Sequence, residues 1–399
     1  MKVRLDEIIE KTFAGEWGSD DVDNNGIPVL RTTNFTNDGT VNYSDVVTRK
    51  ITKENINHKF LKKGDILIEK SGGSNKQPVG RVVYFVGEEN KFLFNNFTGL
   101  IRVKNYDKWS SEYIFYSLFV NYLNGSTKKF ENKTTGLHNL KLDSYLKSVE
   151  ITERSLKEQQ AIVNVLNHLN KIIQKRKKQL KKLDELVKSR FIEMFGDPVT
   201  NSKMWEIDCL GNITTKIGSG MTPRGGKESY LATGVALIRS MNVHDGKFEY
   251  KDLAYISAKQ ASEMKNVELI ENDVLFNITG ASVTRTCVVP NTILPARVNQ
   301  HVAIIRCINE SLNPIFLNNL FLQDGFKYKL LNLARAGGAT REAITKQQLE
   351  DLNVILPPIE IQNQFADFVE QTDKSKLEIQ KSLDKLEILK KSLMQQYFG

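Results

Sequence analysis

The chain has 399 residues, more than one ordinary hydrophobic core accommodates, so two or more domains are expected. Hydrophobic residues make up 40% and charged residues 26%, no apolar run approaches the ~18 residues of a membrane span, and the N-terminus lacks a signal-peptide stretch, so a cytoplasmic protein is expected. The formal net charge of +9 is compatible with nucleic acid, but is also common among proteins that never meet it.

Cys209, Cys287 and Cys307 form no CxxC pair, and the five histidines form no HExxH or HxxxH pattern. A disulfide framework and a metal centre are therefore not expected, and the cysteines read as small buried hydrophobes.

In chain order, the first half opens with short β-branched and aromatic runs broken by Gly, Asn, Asp and Thr clusters, the pattern of a mixed α and β domain over residues 1–154. One of these runs, Ile27 to Leu30, ends in Arg31-Thr32-Thr33-Asn34. It returns in the second half as Val235 to Ile238 ending in Arg239-Ser240-Met241-Asn242. Leu61 to Ile68, with Gly64-Asp65 at its turn, returns at the same offset as Leu269 to Phe276 with Asn272-Asp273. After a slip of a few residues, Asn95 to Arg102 matches Asn299 to Arg306. A duplication at half the chain length makes each half one structural unit.

Each half closes in a long helix. For the first, over 155–196, Ser155 and Glu158 form a capping box that fixes the start. Positions 162, 166, 169, 173, 176, 180, 183, 187, 190 and 194 then follow four-three spacing, mostly apolar, as in a coiled-coil seam, until Gly196 and Pro198 stop it. A second domain over 197–356 precedes the second helix, over 357–399, which opens after Pro357-Pro358. Its seam runs from Phe365 through Val369, Thr372, Lys376, Ile379, Leu383, Leu386, Lys390 and Leu393 to Tyr397. Both helices end in Phe-Gly. Residues 151–196 hold 11 basic against 5 acidic residues, so most of the excess charge sits on the first helix, at Lys171, Lys175, Arg176, Lys177, Lys178, Lys181 and Lys182. Such a run reads either as a solvated face or as a face near phosphates or an acidic partner.

Domain, long helix, domain, long helix: this order, carried by the paired Arg-to-Asn motifs, the paired turns before Asp65 and Asp273, Trp205 to Gly211, Gly220-Met221-Thr222-Pro223, Pro357-Pro358-Ile359-Glu360 and the two Phe-Gly ends, resembles the Type I restriction-modification specificity subunits over nearly the whole chain. The first domain departs from the pattern in lacking the Thr-Pro motif, and the first helix in lacking the Pro-Pro lead-in. The resemblance implies an α+β fold, with two mixed target-recognition domains separated by two long antiparallel coiled-coil helices in a pseudo-two-fold repeat. It also implies double-stranded DNA as ligand, read as two unlike half-sites, and two modification (methyltransferase) subunits plus restriction/translocase subunits as partners. S-adenosylmethionine, ATP and magnesium are then expected in the partners, with no cofactor in this chain.

The residues themselves favour reading over catalysis. A flipped-base methyltransferase needs an Asn- or Asp-Pro-Pro-aromatic motif, and the chain's Pro-Pro pair lies between Leu356 and Ile359. Gly220 to Lys227 has the wrong spacing for a P-loop and is followed by Glu228. Asp65, Glu69 and Lys70 resemble a nuclease cluster, but their second copy is Asp273, Asn277 and Ile278.

Reading requires side chains with paired donors and acceptors, backed by cations on phosphates. In the first domain the candidates are Arg31, Thr32, Asn34, Lys70, Ser71, Asn75, Lys76, Arg81, Lys128, Lys129, Thr135, His138 and Asn139. In the second they are Thr222, Arg224, Lys227, Arg239, Ser240, Asn242, Asn277, Thr279, Arg285, Arg335, Thr340 and Arg341. The plainer reading of these loops is ordinary polar surface, and of the duplicated arginines a structural ion pair. Leu166, Leu169, Ile173, Leu180, Leu183, Val187, Phe368, Leu377, Ile379, Leu383 and Leu386 are the expected subunit interface, and outer apolar residues such as Leu389 suggest a face that partners cover. The rival readings are the recognition region of a fused restriction-methylation protein and a coiled-coil scaffold that does not bind DNA.

Overall fold

The computed structural model describes residues 1–134, 137–336 and 342–399. By its contacts the chain divides into two compact units, Met1–Arg176 with Ser382–Gly399, and Lys177–Lys381. The division falls inside both long helices.

In the first unit, Lys2–Arg4 pairs antiparallel with Glu150–Thr152, so the first strand of the domain is closed by its last. A four-stranded antiparallel sheet follows the order Phe13–Ala14, Thr98–Ile101, Ile66–Glu69, Val82–Tyr84. Its centre, Ile-Leu-Ile-Glu, is buried at every residue, as a strand covered on both faces should be. A second sheet contains Ile27–Leu30, antiparallel to Val47–Lys50 and parallel to Leu93–Phe94. The second unit repeats this plan. Ile207–Cys209 pairs with Asn353–Ile355, and Thr214–Ser219, Val302–Cys307, Val274–Asn277 and Thr286–Val288 form the four-stranded sheet. Val235–Ile238 again runs parallel to a partner, Ala296–Val298.

A helix flanks each sheet. Ser111–Leu123 is capped by the Ser110 hydroxyl, which accepts from Tyr113 N at 3.4 Å. Pro314–Phe321 is capped by Asn313, whose Oδ1 accepts from Ile315 N at 2.8 Å, with Pro314 at the first helical position, where no amide is needed. Cys287 and Cys307 are buried in the second unit, and burial pushes each thiol up to about 12.

The long helices are Leu156–Phe195 and Ile359–Phe398, 40 residues each. Ser155 and Glu158 close the expected box, Ser155 N donating to Glu158 Oε2 at 2.9 Å, and Gly196 at φ +73 ends the first helix in the left-handed turn that glycine favours. All twenty seam positions are buried or half-buried. In the second unit the two helices run antiparallel: Lys376 meets Asp184 at 2.8 Å, the Arg190 guanidinium lies over Phe368 at 5.7 Å, and Phe191 packs edge-on to Phe365 at 5.5 Å. In the first unit the opening turns of one helix share a core with the closing turns of the other, through Ile162, Leu166, Leu393 and Met394. The two Phe-Gly ends have equivalent seats, Phe195 on Phe316 at 4.7 Å and Phe398 on Tyr113 at 5.1 Å. Among the described residues no helix is long and apolar enough to cross a membrane.

Candidate nucleic-acid interface

Two polar clamps hold each domain in shape, and both are duplicated. Arg102 grips Asp65 through two hydrogen bonds, Nε to Oδ1 at 2.7 Å and Nη2 to Oδ2 at 2.6 Å; Arg306 does the same to Asp273 at 2.7 and 2.8 Å. Both aspartates are fully buried, and each also accepts a backbone amide, from Lys62 or Ile270. Gly64 at φ +90 and Asn272 at φ +68 provide the left-handed turn just before each aspartate. Gln159 and Gln362 root the long helices. Gln159 Oε1 accepts from Ser110 N at 2.9 Å while Nε2 donates to the Lys108 and Arg154 carbonyls; Gln362 serves Asn313 N, Ser311 O and Pro357 O identically. Asp65 and Glu69 are thus committed to Arg102 and Arg81, which takes apart the nuclease-like cluster.

On this frame the candidate residues separate into two groups. Asn34 and Asn242 are interior: Oδ1 of each accepts from the arginine amide three residues earlier, at 2.8 and 3.1 Å, and Nδ2 donates to two carbonyls of the following loop. Arg81 is 8% exposed and donates to the Phe35 and Thr32 carbonyls, and Asn277 is fully buried on the Ser240 and Val243 carbonyls. Arg31 pairs with Asp45 at 3.0 Å, and Arg239 bonds the Asp252 carbonyl beneath the Tyr230 ring. Thr32 and Ser240 are half-buried in the same turns. His138 is 9% exposed, its Nδ1 2.7 Å from Glu131. For these positions the plainer, structural reading accounts for what the side chains do.

The second group lies at the surface. In the first unit, Asn75, Lys76, Lys128 and Lys129 are exposed, while Lys70 is half-buried; burial lowers the Lys70 ammonium, with Asp143 pulling it back up. Ser71 donates to Asn139 Oδ1 at 2.6 Å, joining Ser71–Gly73 to the strand Leu137–Leu140, which pairs antiparallel with Glu131–Thr134. In the second unit, Thr222, Arg224 and Lys227 are exposed, Arg285 is half-buried, and Arg335 pairs with Glu342 at 2.8 Å. Thr279 contacts His301 Nδ1 at 2.8 Å. Thr135, Thr340 and Arg341 lie outside the described residues.

The expected subunit interface is corrected by the packing. Leu166, Leu169, Ile173, Val187 and Leu383 are buried within the chain, and Leu180, Leu183, Phe368, Ile379 and Leu386 are half-buried; of that set only Leu377 is exposed, at 54%. Side chains buried within the chain are not left over for another subunit. Among the described residues, the large apolar side chains that do face outward are Leu156, Val165, Leu186 and Ile192 on the first helix and Leu377, Ile388 and Leu389 on the second. Sequence reading also passed over Phe97 and Gln300, which are exposed, and His301, which is half-buried; they follow the shared buried asparagines Asn95 and Asn299. The available signal was divergence inside a duplicated motif.

Comparison with known proteins agrees with this frame. The Putative type I restriction enzyme MjaX specificity subunit of Methanocaldococcus jannaschii is 24% identical over 409 residues, covering 96% of this chain and 90% of that protein. The Type I restriction enzyme MjaIX specificity subunit of the same organism is 25% identical, covering 87% and 79%. The S subunit of a Type-I restriction-modification system from M. genitalium shares the fold with a TM-score of 0.57 at 14% identity, covering 100% of this chain and 96% of that one. A chain from a type I R-M system solved to study complex assembly and conformational transition gives the same TM-score at 18% identity, covering 100% and 97%. The family model of the Type I restriction modification DNA specificity domain matches twice, over residues 1–183 and 203–389, and the chain belongs to that family.

Proposed function

We propose that this chain is the non-catalytic, DNA-reading specificity subunit of a cytoplasmic Type I restriction-modification enzyme, each globular domain recognising one half of a split, asymmetric target. The observation that carries this reading is a shared frame with divergent contents. The Asp65–Arg102 and Asp273–Arg306 clamps make the same pair of arginine-to-aspartate hydrogen bonds, yet the surface loops hung on them share almost no side chains. A duplicated scaffold with unlike loops suits two unlike half-sites.

The long helices, each ~60 Å at 1.5 Å per residue, would set the spacer between half-sites. Their outward apolar residues, Ile388 and Leu389 above all, support docking of two modification subunits. S-adenosylmethionine, ATP and magnesium, with adenine methylation and restriction, then belong to the partner subunits.

The test is methylation mapping in cells that carry this chain and its modification subunit. Exchanging residues 1–150 for another family member's domain should change one half-site and leave the other. Removing four residues from the helix seam should alter the spacer. A motif indifferent to both changes refutes the reading.

A further inference from the structure

The loop after the shared asparagine occupies the same place in both domains. Asn95 N donates to Leu30 O and Asn299 N to Ile238 O, each at 2.9 Å. Two residues on, Phe97 O accepts from Lys70 N at 2.7 Å, and His301 O accepts from Ile278 N at 3.1 Å. The neighbouring glycines are equivalent as well: Gly72 at φ +103 and Gly280 at φ +72 have left-handed backbones, and a Cβ on either would meet no atom within 4 Å. A bare, open backbone beside an outward-facing turn lets a bulky ligand approach closely.

The side chains at this place are opposite in character. Phe97 is 47% exposed beside Asn96, an apolar ring held out to solvent. In the second domain Thr222 donates to Gln300 Oε1, the Gln300 amide lies 3.2 Å from His301 Nε2, and His301 Nδ1 lies 2.8 Å from the Thr279 hydroxyl. The directions of this chain are fixed by chemistry. An amide nitrogen only donates, so Nε2 accepts and the ring proton sits on Nδ1, which donates to Thr279. The Thr279 hydroxyl hydrogen and the second amide hydrogen of Gln300 are left as donors.

We infer that this turn sets base choice differently in the two halves: the Phe97 ring takes the thymine methyl in one half-site, and the Gln300-His301-Thr279 chain takes an acceptor edge, guanine N7 and O6, in the other. The inference rests on the proposed DNA-reading function and adds the residues and the chemistry. Major-groove edges differ in these features, since thymine alone carries a methyl and guanine alone two adjacent acceptors. Gln300 and Thr279 contact the base in this scheme, through the two hydrogens left as donors; His301 is a positioning residue, because both of its ring nitrogens are spent on holding those two side chains.

The experiment selects duplexes from a random library with the full chain in complex with its modification subunit, comparing wild type with Phe97→Ala, His301→Ala and Thr279→Val. Phe97→Ala should lower a thymine preference in one half-site by about tenfold and leave the other intact. His301→Ala and Thr279→Val should lower a guanine preference in the other half-site only, the untouched half-site reporting that the protein is folded. Variants that select the full wild-type motif overturn the inference while the DNA-reading function stands. Variants that weaken both half-sites equally also overturn it, because the residues would then serve the fold. A wild-type complex that selects no bipartite motif removes the underlying reading itself.

Discussion

Arg81 and Asn277 do one task from different places in the repeat. Each donates to the same two carbonyls of the turn that follows the parallel strand: Arg81 to Thr32 O and Phe35 O at 2.8 and 3.0 Å, Asn277 to Ser240 O and Val243 O at 2.9 and 3.4 Å. Yet the repeat position of Asn277 is held in the first domain by Glu69, and that of Arg81 in the second by Arg285. The backbone ladder proves the equivalence, Glu69 N bonding Arg81 O and Asn277 N bonding Arg285 O at 2.8 Å. Buried carbonyls must be satisfied, and two side-chain solutions have been found for one backbone need.

This exchange predicts a rescue. Arg81→Ala leaves Glu69 buried without its cation and two carbonyls without donors, a loss of about 3–5 kcal/mol. Adding Glu69→Asn installs the second domain's solution and should recover about 1–2 kcal/mol. Urea unfolding of both variants checks this; a double variant no more stable than Arg81→Ala refutes the equivalence.

The carboxyl of Glu69 also titrates abnormally. Burial raises it above the usual carboxylate range, and Arg81 only partly offsets this. A carboxyl raised in the folded state is a penalty at neutral pH that is relieved as pH falls through its folded value toward the ordinary ~4.3. Glu69→Gln should therefore be more stable than wild type at pH 7, with the advantage shrinking toward pH 4. Thermal melts across that window decide, and an advantage that grows on acidification contradicts the sign.

Asp65→Ala and Asp273→Ala should differ in cost. Each leaves an arginine without its buried partner, but the Arg102 side chain is 7% exposed and that of Arg306 25%, so water can reach the second and hardly the first. About 3–5 kcal/mol is expected for Asp65→Ala and about half that for Asp273→Ala, read from unfolding of the full chain. Equal losses would show that solvent access is not what separates the two clamps.

Much of this architecture was legible in the sequence because it depends on periodicity and repetition. The four-three spacing from Ile162 to Met194 specifies a buried seam whatever the neighbouring domain looks like, and Ser155 with Glu158 marks the helix start locally. The polar sites were less legible. Arg31, Asn34, Arg81 and Asn277 look like DNA readers by residue type, and only the fold reveals that carbonyls consume them. The seam leucines read as a partner surface in the sequence and are buried or half-buried in the chain, for a related reason: a pattern shows that a face is covered, not by what. Gln159 and Gln362 stood in view as a repeated Gln, but their work spans about fifty residues and needs tertiary structure to be seen.

Those glutamines give a local, separable prediction. Gln159→Leu removes the acceptor for Ser110 N, and Gln362→Leu the acceptor for Asn313 N. Hydrogen exchange at Ser110 should speed up in the first variant and at Asn313 in the second, each by about tenfold or more where a buried bond is removed, with the other position unchanged. Faster exchange at both positions in either variant would mean that the helix roots are not independent.

The lysines at the surface of the first domain should behave differently from the turn residues near Gly72. Lys128 and Lys129 are both exposed, in a short turn leading into the strand Glu131–Thr134, with Lys129 5.1 Å above the Phe130 ring. Exposed cations next to a polar strand suit phosphates, which carry affinity but no sequence information. Lys128→Ala with Lys129→Ala should then weaken DNA binding by the complex on every sequence alike. The slope of log affinity against log salt should become shallower by about 1.8, at ~0.9 for each phosphate no longer neutralised. The selected motif should stay the same. A changed motif at constant salt slope would move these lysines from the backbone to the bases, because only a base contact distinguishes one sequence from another.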